Sequence, residues 1–456
     1  MSAKAAISLF AKRKFLPLFV LFQAGTFNDN VLKNALIILV TYGGMILFSE
    51  DIPLGAVVPI AALLFTLPFL ILCTIAGQIA DKVDRAIILK WVKRAEFVIM
   101  IIAALGFFIQ STAILAFALV CMGAQSAFFS PTKNAVLPQW LEDKDLITAN
   151  GLLSGFQFFF ILLGMVVGIA LVMFGYDKVS GGFPADNFLN GPRLVSIVLL
   201  VFAAIGWIAA ERLPDAPAPQ PNLKINYNPL TSIISVLKTS WDYKNVFRPM
   251  MGIAWFYGFS NIMILVLPNY VANIMKYDPN VLTIILVAST LSILVGALLC
   301  TVLARGKEAM GLVAIGIIGI TIFTLDIYLN TTISTRTELG DLAAFKADPK
   351  TPRFLLAIMG SSVCAGLYVV PLQAMAQRRS VVELRARLMS AGAVMLNAAV
   401  NIVTFGLIAL SFTAMKPQTP FLAVVIISAP VAAYCVWRVF NPVVHAAAAD
   451  LVETAD

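Results

Sequence analysis

The sequence predicts an all-α membrane protein with about 12 transmembrane helices in two six-helix halves. Three observations lead there. Of the 456 residues, 60% are hydrophobic and 12% charged, with a mean hydropathy of +0.91, whereas soluble domains carry about 25% charged residues. The apolar residues fall in continuous runs of about twenty, long enough to cross a bilayer as helices. Membrane-spanning strands would instead give short alternating segments, so helices that satisfy their own backbone polar groups are the spanning form. A proline-rich segment then divides the runs six and six.

Span 1 covers residues 16–40. It follows the basic Lys4, Lys12, Arg13 and Lys14, but it is too long for a signal peptide and lacks a small-residue cleavage pattern, so it is expected to be retained. Asp29 sits near its middle, between Asn28 and Asn30 and one turn before Lys33. An ionisable pair at that depth costs several kcal/mol unless it faces protein or water. At 100° per residue, Gln23, Thr26, Asp29, Asn30, Lys33 and Asn34 fall within an arc of roughly 140°, so one face of the span is wet. Spans 2 and 3, at 55–80 and 87–110, are joined by a charged loop containing Gly77-Gln78-Ile79-Ala80-Asp81-Lys82-Val83-Asp84-Arg85. Span 4, at 112–137, carries Ser130-Pro131-Thr132-Lys133 near its end, and span 5, at 148–174, opens on Ala149-Asn150-Gly151. Phe156, Phe159 and Phe160 share a face of span 5 and are expected to meet lipid rather than flank an acyl chain inside the protein. Span 6 covers 193–211.

Leu213-Pro214-Asp215-Ala216-Pro217-Ala218-Pro219-Gln220-Pro221 cannot form a helix and reads as a semi-rigid linker. Beyond it, Ile233, Ile234, Val236, Leu237 and Trp241 gather on one side with Lys238 and Lys244 flanking, the pattern of an amphipathic helix at the membrane interface. The domains are therefore 1–211, a linker at 212–245, and 246–456. The second half repeats the plan with spans at 247–274, 281–304, 308–329, 353–377, 384–412 and 420–440. Short echoes connect the halves: Ser130-Pro131 with Val370-Pro371, Ala149-Asn150-Gly151 with Ser390-Ala391-Gly392, and Phe27-Asn28-Asp29 with Phe259-Ser260-Asn261. Parallel repeats related by an axis along the membrane normal are expected.

The formal charge of +8 is a signal of topology. About 23 of the 32 Lys and Arg residues, Lys93 among them, fall on one side of the predicted spans, which places both termini in the cytoplasm. A nucleic-acid partner would need a separate basic domain, and none is expected. Cys73, Cys121, Cys300, Cys364 and Cys435 all lie in spans without metal-ligand spacing and read as buried small hydrophobes. His445 is the sole histidine, which excludes a histidine-based metal cluster or a Ser-His-Asp triad within the membrane. It formally completes an H-x4-D pattern with Asp450, but the alanine-rich tail makes this a chance match. No nucleotide-binding phosphate loop appears, so a nucleotide-driven pump is not expected, and neither enzymatic activity nor a cofactor is.

The loop from Gly77 to Arg85 resembles the G-x-x-x-D-[RK]-x-G-[RK] signature of the major facilitator superfamily, with Asp84 in place of the second glycine. The resemblance implies the major facilitator fold, close helix approach at Gly77, and a conformational latch built on Asp81 and Arg85. Asp84 is expected to preserve the turn, because aspartate tolerates a left-handed backbone better than most residues. A charged loop that only sets topology is the alternative. Phe27-Asn28-Asp29-Asn30, the segments Ser130 to Lys133 and Ala149 to Gly151, and Val370-Pro371-Leu372-Gln373 sharpen the resemblance to the lysophospholipid transporter family. It also extends to the membrane portion of fused 2-acylglycerophosphoethanolamine acyltransferase and acyl-carrier-protein synthetase proteins. Asn28 stands where that family commonly has glycine, which bears on helix contact at that point.

The resemblance implies inward movement of lysophosphatidylethanolamine and related lysophospholipids across the bacterial inner membrane. It further implies reacylation on the cytoplasmic side, with functional coupling to an acyltransferase, and the transporter itself is expected to be a monomer. Such a substrate carries an ammonium and a phosphate, and Asp29 with Lys33 at i, i+4 offers the complementary charges about 5 to 6 Å apart. Asp29 is assigned to the ammonium, and Lys33 with Asn30 to phosphate oxygens. The competing reading is an internal ion pair that stabilises span 1. Family architecture, in which spans 1, 4, 7 and 10 line the cavity, adds Gln125, Asn261, Tyr368 and Gln373, although hydrogen bonding between helices explains each as well. Lys133 is assigned to the cytoplasmic gate, or else marks the interface. Two other functions fit the same residues: a proton-coupled exporter of amphipathic cations with Asp29 as protonation site, and a non-transporting partner that presents lipid to an acyltransferase.

Overall fold

The computed structural model describes residues 9–10, 14–49, 51–176, 183, 190–304, 309–330, 333–380, 385–413, 416 and 418–441. Lys4, Lys12, Arg13, Lys178, the 305–308 loop, His445 and Asp450 lie outside the described residues. The chain divides into two compact units, Met1–Ser232 and Ile233–Asp456.

The first unit contains α1 (Phe15–Thr41), α2 (Leu54–Lys82), α3 (Arg85–Phe108), α4 (Thr112–Trp140), α5 (Asp143–Val172) and α6 (Gly191–Glu211). After α7 (Pro229–Asp242), the second contains α8 (Lys244–Asn269), α9 (Pro279–Ala304), α10 (Met310–Asn330), the short α11 (Leu342–Ala347), α12 (Thr351–Arg378), α13 (Arg385–Ser411) and α14 (Thr419–Phe440). The twelve predicted spans thus correspond to twelve long helices, their ends shifted by a few residues. Ten are apolar enough to cross a membrane by length and composition. The other two, α1 and α3, have 27 and 24 residues and carry charge in their interiors.

Pairing within the two units follows one plan. In the first, α1 packs on α5, α2 on α4, and α3 on α4 and α6; in the second, α8 packs on α13, α9 on α12, and α10 on α12 and α14. Small residues set the closest approaches: a Cβ on Gly123 would strike the Phe65 carbonyl between α4 and α2, and one on Gly296 would strike the Val363 carbonyl between α9 and α12. Equivalent helix pairs therefore touch backbone to backbone at a glycine.

Helix α3 shows why this fold suits lipid. Trp91, Val98, Ile101, Leu105 and Phe108 recur at helical spacing and are exposed, while Lys93 and Glu96 on the other side are buried. A water-soluble helix would reverse the two faces. The segment expected to lie at the membrane interface forms the helix α7. Asn228 Oδ1 accepts from the backbone N–H groups of Leu230 and Thr231 at its start, and Leu230, Ile234 and Trp241 form an exposed apolar stripe.

Two local expectations change. The proline-rich segment, expected as a semi-rigid linker, is also docked on the first unit over residues 215–220. Ala216 N–H donates to Asp84 (3.1 Å), Ala216 C=O accepts from Arg85 N–H (2.9 Å), Gln220 N–H donates to the Asp81 carbonyl (2.9 Å), and Trp140 Nε1 donates to the Asp215 carbonyl (3.2 Å). The prolines lack donors, so these few bonds are what the segment needs to dock on its own unit. The second change is at Asp84, where φ is −54° and the side chain caps α3 by accepting from Ala86 and Ile87 N–H. The turn needs no left-handed residue; aspartate serves as a helix cap instead.

Sequence periodicity did not reveal the loop between α10 and α12. Tyr277 pairs with Gly340 in an isolated bridge, its hydroxyl donates to Asp348 Oδ2 (2.9 Å), and its ring lies against Phe345 and under Arg336. The Lys350 backbone N–H, then the Tyr277 hydroxyl and Arg336, hold the Asp348 carboxyl below the usual carboxylate range.

Candidate functional site

In the first unit, ionisable groups from three helices meet. Asp29 and Lys33 project from α1, Lys93 and Glu96 from α3, and Lys133 from α4; Glu96 and the three lysines are the electrostatic neighbours of Asp29. Lys93 Nζ and Glu96 Oε2 form a 2.5 Å ion pair with side chains 0% and 3% exposed. Gln125, nominated from sequence as a cavity residue, donates to Glu96 Oε2 (3.1 Å) and to the Val92 carbonyl (3.5 Å), so it positions the pair. Gly25 makes the space, since a Cβ there would collide with Lys93 Nζ. The assignment of Lys93 to a topological charge at the membrane surface is thus corrected: helical phase turns it inward.

Each lysine of the group also rests on an aromatic face. Lys33 lies 4.7 Å from the Phe65 ring centre, Lys93 4.8 Å from Phe129, and Lys133 3.6 Å from Phe22. Ring quadrupoles replace part of the hydration these ammonium groups lose. Asp29 and Lys33 form no ion pair with each other or with any other described residue. Two carboxylates against three ammonium groups leave one formal positive charge in excess.

The neighbouring polar residues have structural duties. Asn28 is fully buried and its amide donates to the Leu199 carbonyl of α6 (3.1 Å), so the residue in the glycine position ties two helices together. Asn30 gives one amide N–H to the Thr26 carbonyl (2.8 Å). On the other side of α1, Gly164 and Gly168 of α5 lie against the Phe27 and Val31 carbonyls.

The predicted latch residues gather at the α2–α3 turn. Arg85 is 8% exposed and its guanidinium donates to the Ala80 carbonyl (3.1 Å), the Ala135 carbonyl (3.0 Å) and Asp81 (3.1 Å). It therefore joins the ends of α2 and α4. Gly77 differs from the expectation of close helix approach: a Cβ there would meet no atom within 4 Å. Lys133, assigned to the gate, is an electrostatic neighbour of Asp29.

The remaining candidates belong to the second unit. Asn261 donates to Thr404 Oγ1 (2.9 Å) and the Val400 carbonyl (3.4 Å), a bridge from α8 to α13. Tyr368 is 1% exposed, stands edge-on to Trp255, and lines a cavity. Gln373 is exposed and away from that cavity. Among the described residues no group of three or more His, Cys, Asp or Glu could hold a metal ion.

Glu96, Gly25 and the buried role of Lys93 are not among the residues expected from sequence. A signal existed: Lys93 and Glu96, three apart, fall opposite the apolar stripe from Trp91 to Phe108.

Comparison with known proteins matches residues 35–335 to the family model described as Major Facilitator Superfamily. The lysophospholipid transporter LplT of Photorhabdus laumondii subsp. laumondii is 26% identical over 241 residues, which span 52% of this chain and 55% of that protein. Among solved structures, a mutant of peptide transporter POT in complex with alafosfalin aligns with a TM-score of 0.64 at 13% identity, over 93% of this chain and 94% of that one. A bacterial homologue of the iron transporter ferroportin in an inward-facing state aligns at 0.60 with 15% identity, covering 92% and 99%. Nucleoside transporter NupG aligns at 0.58 with 14% identity, also covering 92% and 99%. At these identities the structures establish a shared fold.

Proposed function

The chain belongs to the Major Facilitator Superfamily, a multi-pass membrane transporter working by alternating access, and from that premise we propose that its substrates are lysophospholipids. Lysophosphatidylethanolamine is moved inward across the bacterial inner membrane, with both termini cytoplasmic, for reacylation on that side. The half-length match to a lysophospholipid transporter supports this reading.

The observation that carries it is the pair Asp29 and Lys33, one helical turn apart on α1 and closed neither on each other nor on another described residue. In the proposed complex Asp29 accepts from the substrate ammonium. Lys33 and the second amide N–H of Asn30 donate to phosphate oxygens. A zwitterion satisfies both charges at once, and its phosphate meets the positive excess of the group. Three lysines around Asp29 disfavour the cation-exporter alternative, because a cationic substrate would add to that excess.

The deciding experiment is inward translocation of labelled lysophosphatidylethanolamine in proteoliposomes, with a diacyl control and Asp29→Ala protein alongside. Protein-dependent movement of the lyso form, lost in the variant, is expected. Binding without movement would support the lipid-presenting alternative and overturn the transport reading.

A further inference from the structure

The second unit holds a cavity of about 500 Å³ that the reading above does not use; ligand pockets span about 300–1,000 Å³. Its two ends differ in chemistry. Arg248 lies near the start of α8, Arg379 follows α12, and Arg438 is in the last turn of α14. Deeper along the same three helices stand Trp255, Tyr368 and Tyr434, with Leu372 and Met375 between. Arg248 and Trp255 are seven residues apart, about 10 Å along a helix.

No Asp or Glu is among the described residues that line this cavity. Arg248 and Arg438 have no carboxylate partner among the described residues, and Arg379 Nη1 donates to the Asn245 carbonyl of α8 (3.5 Å). Guanidinium groups gathered at one end of a pocket repel one another and match phosphate oxygens in geometry. The wall supplies a second polar cue. Tyr368 is 1% exposed, yet its hydroxyl has no hydrogen-bond partner among the described residues, and it sits 3.1 Å from where a Cβ on Gly252 would be. Both residues line the cavity, so the space beside the hydroxyl is kept open by a glycine.

We propose that this cavity is a second binding site, for a single-chain amphiphile whose phosphate is held by Arg248, Arg379 and Arg438 and whose apolar part lies against Trp255, Tyr368 and Met375. The Tyr368 hydroxyl donates to an oxygen of the group joining head and chain. The residues of this site all belong to the second unit and share none with the Asp29 group, so it does not depend on how translocation is assigned.

The full chain in proteoliposomes is labelled with lysophosphatidylethanolamine carrying a photoreactive group in its acyl chain, and labelled peptides are located by mass spectrometry. Label is expected on segments 245–255 and 368–379. Simultaneous Arg248→Ala, Arg379→Ala and Arg438→Ala substitution should reduce it at least tenfold. Gly252→Leu, which fills the cavity and keeps the arginines, should do the same. Unlabelled lysophosphatidylethanolamine should compete. Competition by a monoacylglycerol of equal chain length would overturn the phosphate assignment, and competition by glycerol 3-phosphate would show a site for free phosphate compounds instead of amphiphiles. Undiminished label in both the triple variant and Gly252→Leu would overturn the site. In Asp29→Ala protein the label should persist even where translocation is lost, which separates this proposal from the transport reading.

Discussion

Lys93 Nζ lies 2.5 Å from Glu96 Oε2, with both side chains withdrawn from solvent, inside a bundle whose outer surface is apolar. Removing one member of such a pair leaves an uncompensated charge and costs about 3–5 kcal/mol, whereas replacing both with apolar groups is often neutral. Lys93→Met and Glu96→Met are each expected to lower the thermal unfolding temperature in detergent strongly. The double variant should regain most of the loss. A double variant as unstable as the worse single one would show that the pair's attraction is not what holds this region.

Gly25→Val tests the space beside that pair. Its Cβ would collide with Lys93 Nζ and press on the Glu96 carboxylate, so the buried ammonium has to shift within its pair. Overpacking typically costs about 1–3 kcal/mol. A lower unfolding temperature and lower translocation are expected together, and a Gly25→Val protein of unchanged stability would contradict the described packing.

Head-group assignment makes Asp29→Asn and Lys33→Gln distinguishable. Asp29→Asn should reduce transport of lysophosphatidylethanolamine at least tenfold more than that of lysophosphatidylglycerol, which has no ammonium. Lys33→Gln should depress both alike, through loss of a phosphate contact. Initial rates with the two lipids in one vesicle preparation decide this; equal losses for both lipids in Asp29→Asn would remove the ammonium from its assigned partner.

Arg85→Lys asks whether the turn between α2 and α3 depends on a planar fork. The guanidinium serves two carbonyls and Asp81 at once, and an ammonium on a flexible stem cannot reproduce that geometry. A loss of about 1–3 kcal/mol is expected, in the range of hydrogen bonds to charged groups. Thermal unfolding measures it, and unchanged stability would mean that positive charge alone suffices.

Asp348 gives the loop between α10 and α12 a pH dependence. Its carboxyl is held below the ordinary value by the Lys350 N–H, Tyr277 and Arg336. The associated stabilisation is therefore fully present above the unfolded value of about 3.9 and is lost as pH falls through the lowered folded value. Hydrogen exchange in segment 333–350 should accelerate only in that acid range in the native protein. Asp348→Asn should show the faster exchange already at neutral pH.

The legibility of this protein differs from residue to residue. Asp29 and Lys33 stood out because charge in the middle of an apolar run is costly wherever the helix packs. Lys93 and Glu96 did not, because they lie within six residues of Lys90 and Arg94 on α3 and so resemble the basic end of a span. Gln125 and Asn261 were found as polar residues in spans, but their partners, Glu96 and Thr404, are remote in sequence.

By itself the sequence determined the number and extent of the membrane helices, the six-and-six division and the helical α7, because hydropathy and helical period are local and additive along the chain. Tertiary structure alone decided which charges are neutralised and which space stays open. Whether Lys93 faces lipid, water or Glu96 depends on how α3 is rotated against α1 and α4, and the cavity beneath the three arginines exists only where α8, α12 and α14 converge. Both are properties of packed faces from distant segments, and helix periodicity carries the phase of each face without naming the face it will meet.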